Sequence, residues 1–408
     1  MAQVSTQGQR LYVDIQSGGA FALNETAGAS DIAGGDAAKF SGFVANNVVP
    51  LATSANKTGN REPSLGVTTR RKGGWSFDAD FEMSGAAGTA PDLVKLLQSQ
   101  FGDAALVVPT GTATVTSSGD SGGKVEITTS SAHGYSDGDF VLIAGHSVTE
   151  INRLWKISAA TGSVFEIDLD YGGTAGSGGT ANITGVNIVD DQDDSIVPLE
   201  LWHFVDPATA EQKVAVGAIP SEVQLSFGED FLRLSASGES AWVLTSDGFA
   251  AASTQERAGL TAFPTEPATP TYNGQAVQGF NGKCFIDGAD LGSVKSVEVT
   301  FNPGRDYPED GWNNNLPNRV RADRDLTSIS IRASKTDDAV IAAMQAAAKA
   351  KTPVTLFVTM GDAAGLSMGL SILNLQLEPG NDEDNDPDVD ITWTAQGGYP
   401  TTRQVVFA

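Results

Sequence analysis

The stretch Trp75-Ser-Phe-Asp-Ala-Asp-Phe-Glu-Met83 alternates without a break. Trp75, Phe77, Ala79, Phe81 and Met83 fall on one side; Ser76, Asp78, Asp80 and Glu82 fall on the other. A period of two with one apolar face predicts a half-buried antiparallel strand. The segment that follows, Pro91–Phe101, predicts a helix. Thr89 and Asp92 stand at capping-box spacing, Pro91 lies in the first turn, and Gly102 marks the stop. Leu93, Val94, Leu96, Leu97 and Phe101 form one apolar stripe suited to packing on a sheet. The outward face of the strand carries three carboxylates, which on an ordinary domain would simply be solvated.

The same order of features recurs in the second half. Thr327, Ile329, Ile331 and Ala333 alternate with Ser328, Ser330 and Arg332. A helix follows, opened by Asp337 and Asp338, closed by Lys349 and Lys351, and ended by Pro353, as the helix dipole favours. Ser296–Phe301 (SVEVTF) echoes Ser221–Phe227 (SEVQLSF), with Glu298 and Glu222 on their polar faces. A long loop with a basic cluster precedes each alternating strand. The first holds Lys57, Arg61, Arg70, Arg71 and Lys72; the second holds Arg305, Arg319, Arg321 and Arg324. Basic loop, strand, helix, strand therefore occurs twice, and internal duplication explains it economically.

The composition sets bounds on this picture. A chain of 408 residues accommodates two or three domains, each with its own core. Twenty-five basic against fifty acidic side chains leave a net charge of −25, the wrong sign for tight binding of free nucleic acid. Forty-six glycines and only two convincing helices predict a mainly β protein. A single cysteine, Cys284, excludes an internal disulfide framework. Nothing at the N-terminus resembles a signal peptide, and no apolar run approaches the roughly 20 residues of a membrane span. Synthesis and folding in a cytoplasm, with no membrane contact, is the expectation.

Between residues 111 and 185 the texture changes to Gly, Ser and Thr with closely spaced short strands. These are Thr112–Thr116, Lys124–Thr129, Phe140–Ala144, Leu154–Ser158 and Val164–Leu169, and they predict a small sandwich or barrel inserted into a loop. Gly-rich borders suggest an autonomous exterior unit. The division is then 1–110 with 186–252, the insert 111–185, a Pro-rich linker 253–274, and 275–408. Other expected strands are Arg10–Gln16, Ala20–Asn24, Phe40–Val49, Ala104–Val108, Leu199–Val205, Gln212–Ile219, a hairpin over Phe231–Leu244, and the closing Val354–Met360, Ser367–Leu377 and Val389–Ala395.

Catalytic patterns are not evident. His133, His146 and His203 are the only histidines, and no G-x-S-x-G elbow, Walker loop or dinucleotide fingerprint is present. The chain is therefore read as a non-enzyme without a cofactor. His133 has no second His or Cys at zinc-ligand spacing. The acidic run Glu378–Asp390 lacks the glycine and terminal glutamate of an EF-hand, and a solvated acidic turn is favoured over a calcium site.

The sequence resembles the tail tube (major tail) proteins of long-tailed, siphovirus-type bacteriophages, in the version with two fused tube folds. The resemblance rests on SLGVTTRRKGGWSFDADFEM (Ser64–Met83), APDLVKLLQSQFG (Ala90–Gly102) and the order of elements from Cys284 to Gly398. It covers most of the chain outside the insert. The insert, through AHGYSDGD (Ala132–Asp139) and EINRLWK (Glu150–Lys156), resembles a small β-domain inserted in phage virion proteins.

The resemblance implies two tandem β-sandwich folds, each with a flanking helix, whose inner sheets join around a ring into one wide barrel. Members with two fused folds form trimeric rings with pseudo-sixfold symmetry, stacked into a conduit for DNA. It implies a structural virion protein that surrounds a tape-measure protein, meets tail terminator and distal tail proteins, and carries its insert outside. Ser76, Asp78, Asp80, Glu82, Glu222 and Glu298 are then expected to face the lumen. Lys57, Arg61, Arg70, Arg71, Lys72, Arg305, Arg319, Arg321 and Arg324 are expected at contacts between rings. The competing reading is a β-sandwich capsid-decorating protein or host-surface adhesin, which would not polymerise with itself.

Overall fold

The computed structural model describes residues 8–16, 32–48, 51–52, 67–68, 72–102, 106–173, 175–189, 195–206, 211–228, 230–245, 266–267, 269–272, 274–276, 279, 282–308, 319–336, 339–385, 388–397 and 402–408. The first repeat opens with β1 (Arg10–Ile15), β2 (Ala37–Ala38), β3 (Ser41–Val48), β4 (Leu51–Ala52), β5 (Val67–Thr68), β6 (Lys72–Asp80) and α1 (Val94–Phe101). Six strands follow: β7 (Thr112–Ser121), β8 (Lys124–Thr129), β9 (Phe140–Ala144), β10 (Leu154–Thr161), β11 (Val164–Asp170) and β12 (Thr180–Asn182). After β13 (Val186–Val189) come β14 (Leu199–Asp206), β15 (Glu211–Phe227), β16 (Arg233–Ser240) and β17 (Trp242–Thr245). The second repeat is β18 (Lys283–Ile286), β19 (Ala289–Asp290), β20 (Val294–Asn302), β21 (Arg305–Asp306), β22 (Arg321–Ala322), β23 (Leu326–Ser334), α2 (Ala339–Ala350), β24 (Val354–Met360), β25 (Met368–Leu377), β26 (Asn381–Asn385), β27 (Asp388–Gly397) and β28 (Arg403–Phe407).

One pairing scheme is used twice. In the first repeat β1 pairs with β2 and β14, β14 with β15, and β15 with β17. In the second, β18 pairs with β19 and β24, β24 with β25, and β25 with β28. These are the two flank sheets. A second layer is one long antiparallel sheet, β3-β6-β16-β15-β20-β23-β27-β26, four strands from each repeat. Boundaries recur 254 residues apart: 51–52 with 305–306, 67–68 with 321–322, and 72–80 with 326–334.

Two strands belong to both layers. β15 and β25 leave a flank sheet, kink, and enter the long sheet, β25 through Leu375–Leu377 beside β27. The kink residues are Gly217, at φ 60°, and Asn374, at φ 57°. The β14 ladder slips between Leu199↔Ala218 and Leu201↔Ala215, and the β24 ladder between Val354↔Leu375 and Leu356↔Ile372. Both are the same bulge, and glycine and asparagine are the residues that accept a left-handed backbone at least cost.

The alternation read from the sequence is what fills the core. Trp75, Phe77, Ala79, Phe81 and Met83 are buried, as are Thr327, Ile329, Ile331 and Ala333. One apolar core spans both repeats, and α1 contributes Leu93, Val94, Leu96, Leu97 and Phe101 to it. Several details differ from expectation. The strand is Lys72–Asp80, so it ends before Glu82. The helix begins at Val94 with Leu93 as N-cap and no side-chain cap, so Thr89 and Asp92 form no capping box. Gly102 does end it, at φ 74°. Gln212–Ile219 and Ser221–Phe227 are one strand, bulged near Pro220. The part of Ala104–Val108 that is described, from Leu106, is not a strand. β26 and β28 were not anticipated at all. Ala20–Asn24 and most of the 253–274 linker lie outside the described residues, although Glu266 accepts hydrogen bonds from Arg10 and from the Tyr12 hydroxyl.

The insert is a closed barrel in the order β10-β11-β8-β7-β12-β9. It is packed against the second repeat. Its apolar core continues into Phe285, Phe357, Val406 and Ala408 of the second flank sheet. Trp155 packs on Phe285 with ring centroids 4.9 Å apart, and Phe140 on Phe357 at 6.0 Å. Gly369 lies beneath, where an added Cβ would stand 2.9 Å from Leu154 Cδ2. β13, expected in the first domain, instead pairs with β28 and extends the second repeat's flank sheet. Chain from the first repeat thus crosses to the second on the side away from the long sheet.

Replacing residues 111–185 by a short Gly-Ser linker should therefore destabilise the protein rather than leave it unchanged. Phe285 and Phe357 would each lose burial worth roughly 1.5–3 kcal/mol. Urea unfolding and dye binding to exposed apolar surface measure this; an unshifted midpoint would mean that the barrel contact contributes nothing.

His203 supplies a pH test. It is buried on β14 beside Phe40 and Phe43, with ring centroids 5.8 and 4.7 Å away. Burial, and then the charge of Lys213, hold its pKa down to about 4, against about 6.5 in an unfolded chain. Between those values the unfolded chain binds a proton that the folded chain does not, so stability is lost as pH falls through the window. His203→Gln should flatten the fall in unfolding midpoint between about pH 7 and pH 5. A slope identical to the parent would remove His203 from the account.

Candidate assembly surface

The long sheet has one covered face and one polar face. The covered face meets the flank sheets and α1 through the core already described. Cross-strand registers arrange the polar face in rows. One row runs Asp78, Ser235, Gln224, Thr300, Ser328, Gln396. The next runs Asp80, Arg233, Ser226, Glu298, Ser330, Thr394. Asp78, Asp80, Glu222 and Glu298 are exposed on this face, and Ser76 is half-buried on it. Glu82 is not part of it: beyond the strand's end it pairs with Lys39 at 2.6 Å. The face is mostly small hydroxyl and amide groups, with carboxylates spaced among them.

Of the basic residues on this face, Arg332 and Lys295 are held by carboxylates of the chain. Arg233 lies opposite Asp80. Arg332 contacts Asp390 at 2.9 Å and Glu383 at 3.6 Å, and Lys295 contacts Asp390 at 2.5 Å. The Asp390 side chain is only 1% exposed, so its two cationic partners compensate its burial.

Both ends of the long sheet are open among the described residues. At one end β3 pairs only with β6; at the other β26 pairs only with β27. β26 is Asn-Asp-Glu-Asp-Asn, and β3 is uncharged. Like-charged β26 edges repel one another, which guards against pairing of two such edges.

The seam between the repeats is the β15–β20 ladder, where Val223, Leu225 and Phe227 face Phe301, Val299 and Val297. Phe301 meets the edge of the Phe101 ring at 5.0 Å. Past β20 the chain leans back over the first repeat. Buried Arg305 donates to the Ser99 carbonyl of α1 at 2.7 Å and to the Ser195 carbonyl at 3.1 Å. A guanidinium at the negative end of a helix satisfies carbonyls that have no partner within the helix. Tyr307 is buried beside it. Its hydroxyl donates to the Gly217 carbonyl at 2.5 Å and its N–H to Glu239 at 2.8 Å. Burial and the Glu239 charge push the Tyr307 phenol upward. Glu239 in turn holds Lys72 at 2.6 Å.

The expected contacts between rings are accordingly revised. Arg305 is an internal cap and is not at the surface. Lys72 is engaged by Glu239 within the chain. Arg321 is exposed and bidentate to Asp306, and Arg319 and Arg324 are exposed. Lys57, Arg61, Arg70 and Arg71 lie outside the described residues. Two contributors to the seam, Tyr307 and Arg403, were missed. Arg403 pairs with Asp325 and lies 5.7 Å from the Phe101 ring centre.

His133 accepts the Tyr135 N–H at 3.0 Å through Nδ1, and its Nε2 lies 3.1 Å from the Val164 carbonyl. The acidic run is a hairpin of β26 and β27, with Asp382 on Lys335. Among the described residues no three acidic, His or Cys side chains converge as a metal site. No protein-family model matches the sequence, and no curated protein sequence does.

Arg305→Met would strand two carbonyls and should lower the unfolding free energy by about 2–3 kcal/mol. Arg321→Met, on the exposed pair, should stay within about 0.5 kcal/mol. Equal effects of the two substitutions in urea titrations would contradict the buried role of Arg305.

Proposed function

We propose that this chain is a structural virion protein, the subunit of a phage tail tube, which polymerises into stacked rings that conduct DNA. One observation carries the reading: the long sheet is two equivalent four-strand halves, joined side by side and, among the described residues, open at both ends. The internal seam pairs the fourth strand of one half with the first strand of the next. The open ends are another fourth strand, β26, and another first strand, β3. Copies can therefore add head to tail by repeating the seam. A heterologous contact of this kind either closes into a ring or runs on as a filament.

Closure of three chains would give six equivalent halves around a barrel with the polar face inward, since the other face is already covered. The wall would then carry Ser and Thr rows with Ser76, Asp78, Asp80, Glu222 and Glu298. DNA bears about one charge per 1.7 Å of axis, and a wall with few free cations lets it slide. The barrel on the second flank sheet would stand outside. In this reading the tube surrounds a tape-measure protein and ends against terminator and distal tail proteins.

Negative-stain microscopy and sedimentation of the purified chain provide the test. Rings of three chains, alone or stacked, are the expected result. Six chains per ring would mean that only one half lines the bore. A strictly monomeric protein would overturn the tube reading in favour of a decorating or adhesive β-sandwich.

A further inference from the structure

The first repeat has a flank that the second repeat covers, and the second repeat has the matching flank uncovered. On the first repeat this flank is the end of α1, the Gly217 bulge and Glu239, and the Arg305–Tyr307 segment lies on it. The ladders identify the counterparts. Gly217 corresponds to Asn374, each being the left-handed residue of the same bulge. Ile219 pairs with Glu239 as Gln376 pairs with Gln396. Gly102, at φ 74° after α1, corresponds to Lys351, at φ 56° after α2.

Burial separates the two flanks. Gln98 to Gly102 are all buried, whereas Lys349 to Pro353 are all exposed. Ile219 is fully buried in a cluster with Tyr307. Its counterpart Gln376 is exposed, and so is Gln396. The residue types follow the exposure, since a surface open to water in the free chain carries amides where the covered one carries isoleucine.

We propose that the flank formed by the end of α2, Asn374, Gln376 and Gln396 is the seat for the β4–β5 ladder of a second copy. The occupant is fixed by the duplication. β4 and β5 pair with each other as β21 and β22 do. β4 starts at 51 after β3 ends at 48, and β21 starts at 305 after β20 ends at 302. A β3 strand that continued the sheet at β26 would bring β4–β5 onto this flank. The connection between β4 and β6 also holds Lys57, Arg61, Arg70 and Arg71, opposite in charge to Asp382, Glu383 and Asp384 of β26. The inference rests on head-to-tail association as proposed above and adds which surfaces meet.

Cysteine cross-linking tests it. Ala52→Cys is combined with Gln396→Cys, or in a second variant with Gln376→Cys, and treated with a short bis-maleimide. The native Cys284 thiol is buried and pushed up to about 12, so it stays unreactive. Asp306→Cys with Glu239→Cys reports the internal seam and should cross-link only within one chain. The expected result is depletion of the single-chain band by either variant, with products up to three chains. Sedimentation is run on the same samples. Associated protein that gives no product between chains from either variant overturns the seat and leaves the ring reading standing. Protein that fails to associate overturns the ring reading, and the seat with it.

Discussion

The β15–β20 ladder is the constraint on which the rest of the structure depends. It joins the two repeats edge to edge through three apolar pairs, so they share one core and one sheet. Had they been beads on a linker, neither would show the other a strand edge. Everything around the ladder reinforces it. Phe301 packs on Phe101, Arg305 caps the helix that Phe101 ends, and Tyr307 binds the carbonyl of the bulged Gly217. β13 and the barrel brace the opposite side, where β13 pairs with β28. An internal seam made this way is also a description of what the open edges need.

The flank sheets show how far a two-faced strand can depart from alternation. Leu11, Val13, Leu199 and Leu201 face the shared core. Tyr12, Trp202, Phe204, Val214 and Trp242, on the reverse of the same sheet, are buried in a second cluster. The second flank sheet does likewise, with Cys284 and Leu356 inward and Phe285 and Phe357 under the barrel. Sheets covered on both faces read as continuous apolar runs. The long sheet, by contrast, has a wet face among the described residues, and β6 and β23 on it alternate cleanly.

This difference decides what was legible in the sequence. Trp75–Asp80 and Thr327–Ala333 could be read because one face of each is wet, and their recurrence exposed the duplication. The expectation of a mainly β chain came from the glycine content and the two helices, and that of a small sandwich or barrel from the closely spaced strands of 111–185. β26 could not be read: Asn-Asp-Glu-Asp-Asn has turn composition, and only Lys335 and Arg332 from elsewhere make it tolerable as a strand. Arg305 resembled a surface residue because its partners are carbonyls more than one hundred positions away, at Ser99 and Ser195. The packing of the barrel on the second repeat was not legible for a related reason. Phe285 and Phe357 look like ordinary core residues, and nothing local states that their core lies on the far side of the sheet.

The covalent link between the repeats has a kinetic meaning. Tethering turns one seam of every pair into an intramolecular event, governed by an effective concentration instead of by protein supply. In the proposed ring, half of the seams would already exist when each chain finishes folding. Only the other half would remain subject to dilution, so growth would depend on a lower power of concentration than for single-repeat subunits. The two seam types are then free to diverge. The internal one can be apolar and permanent, with Ile219 beneath Tyr307, while the outer one keeps Gln376 and Gln396, compatible with a soluble waiting state.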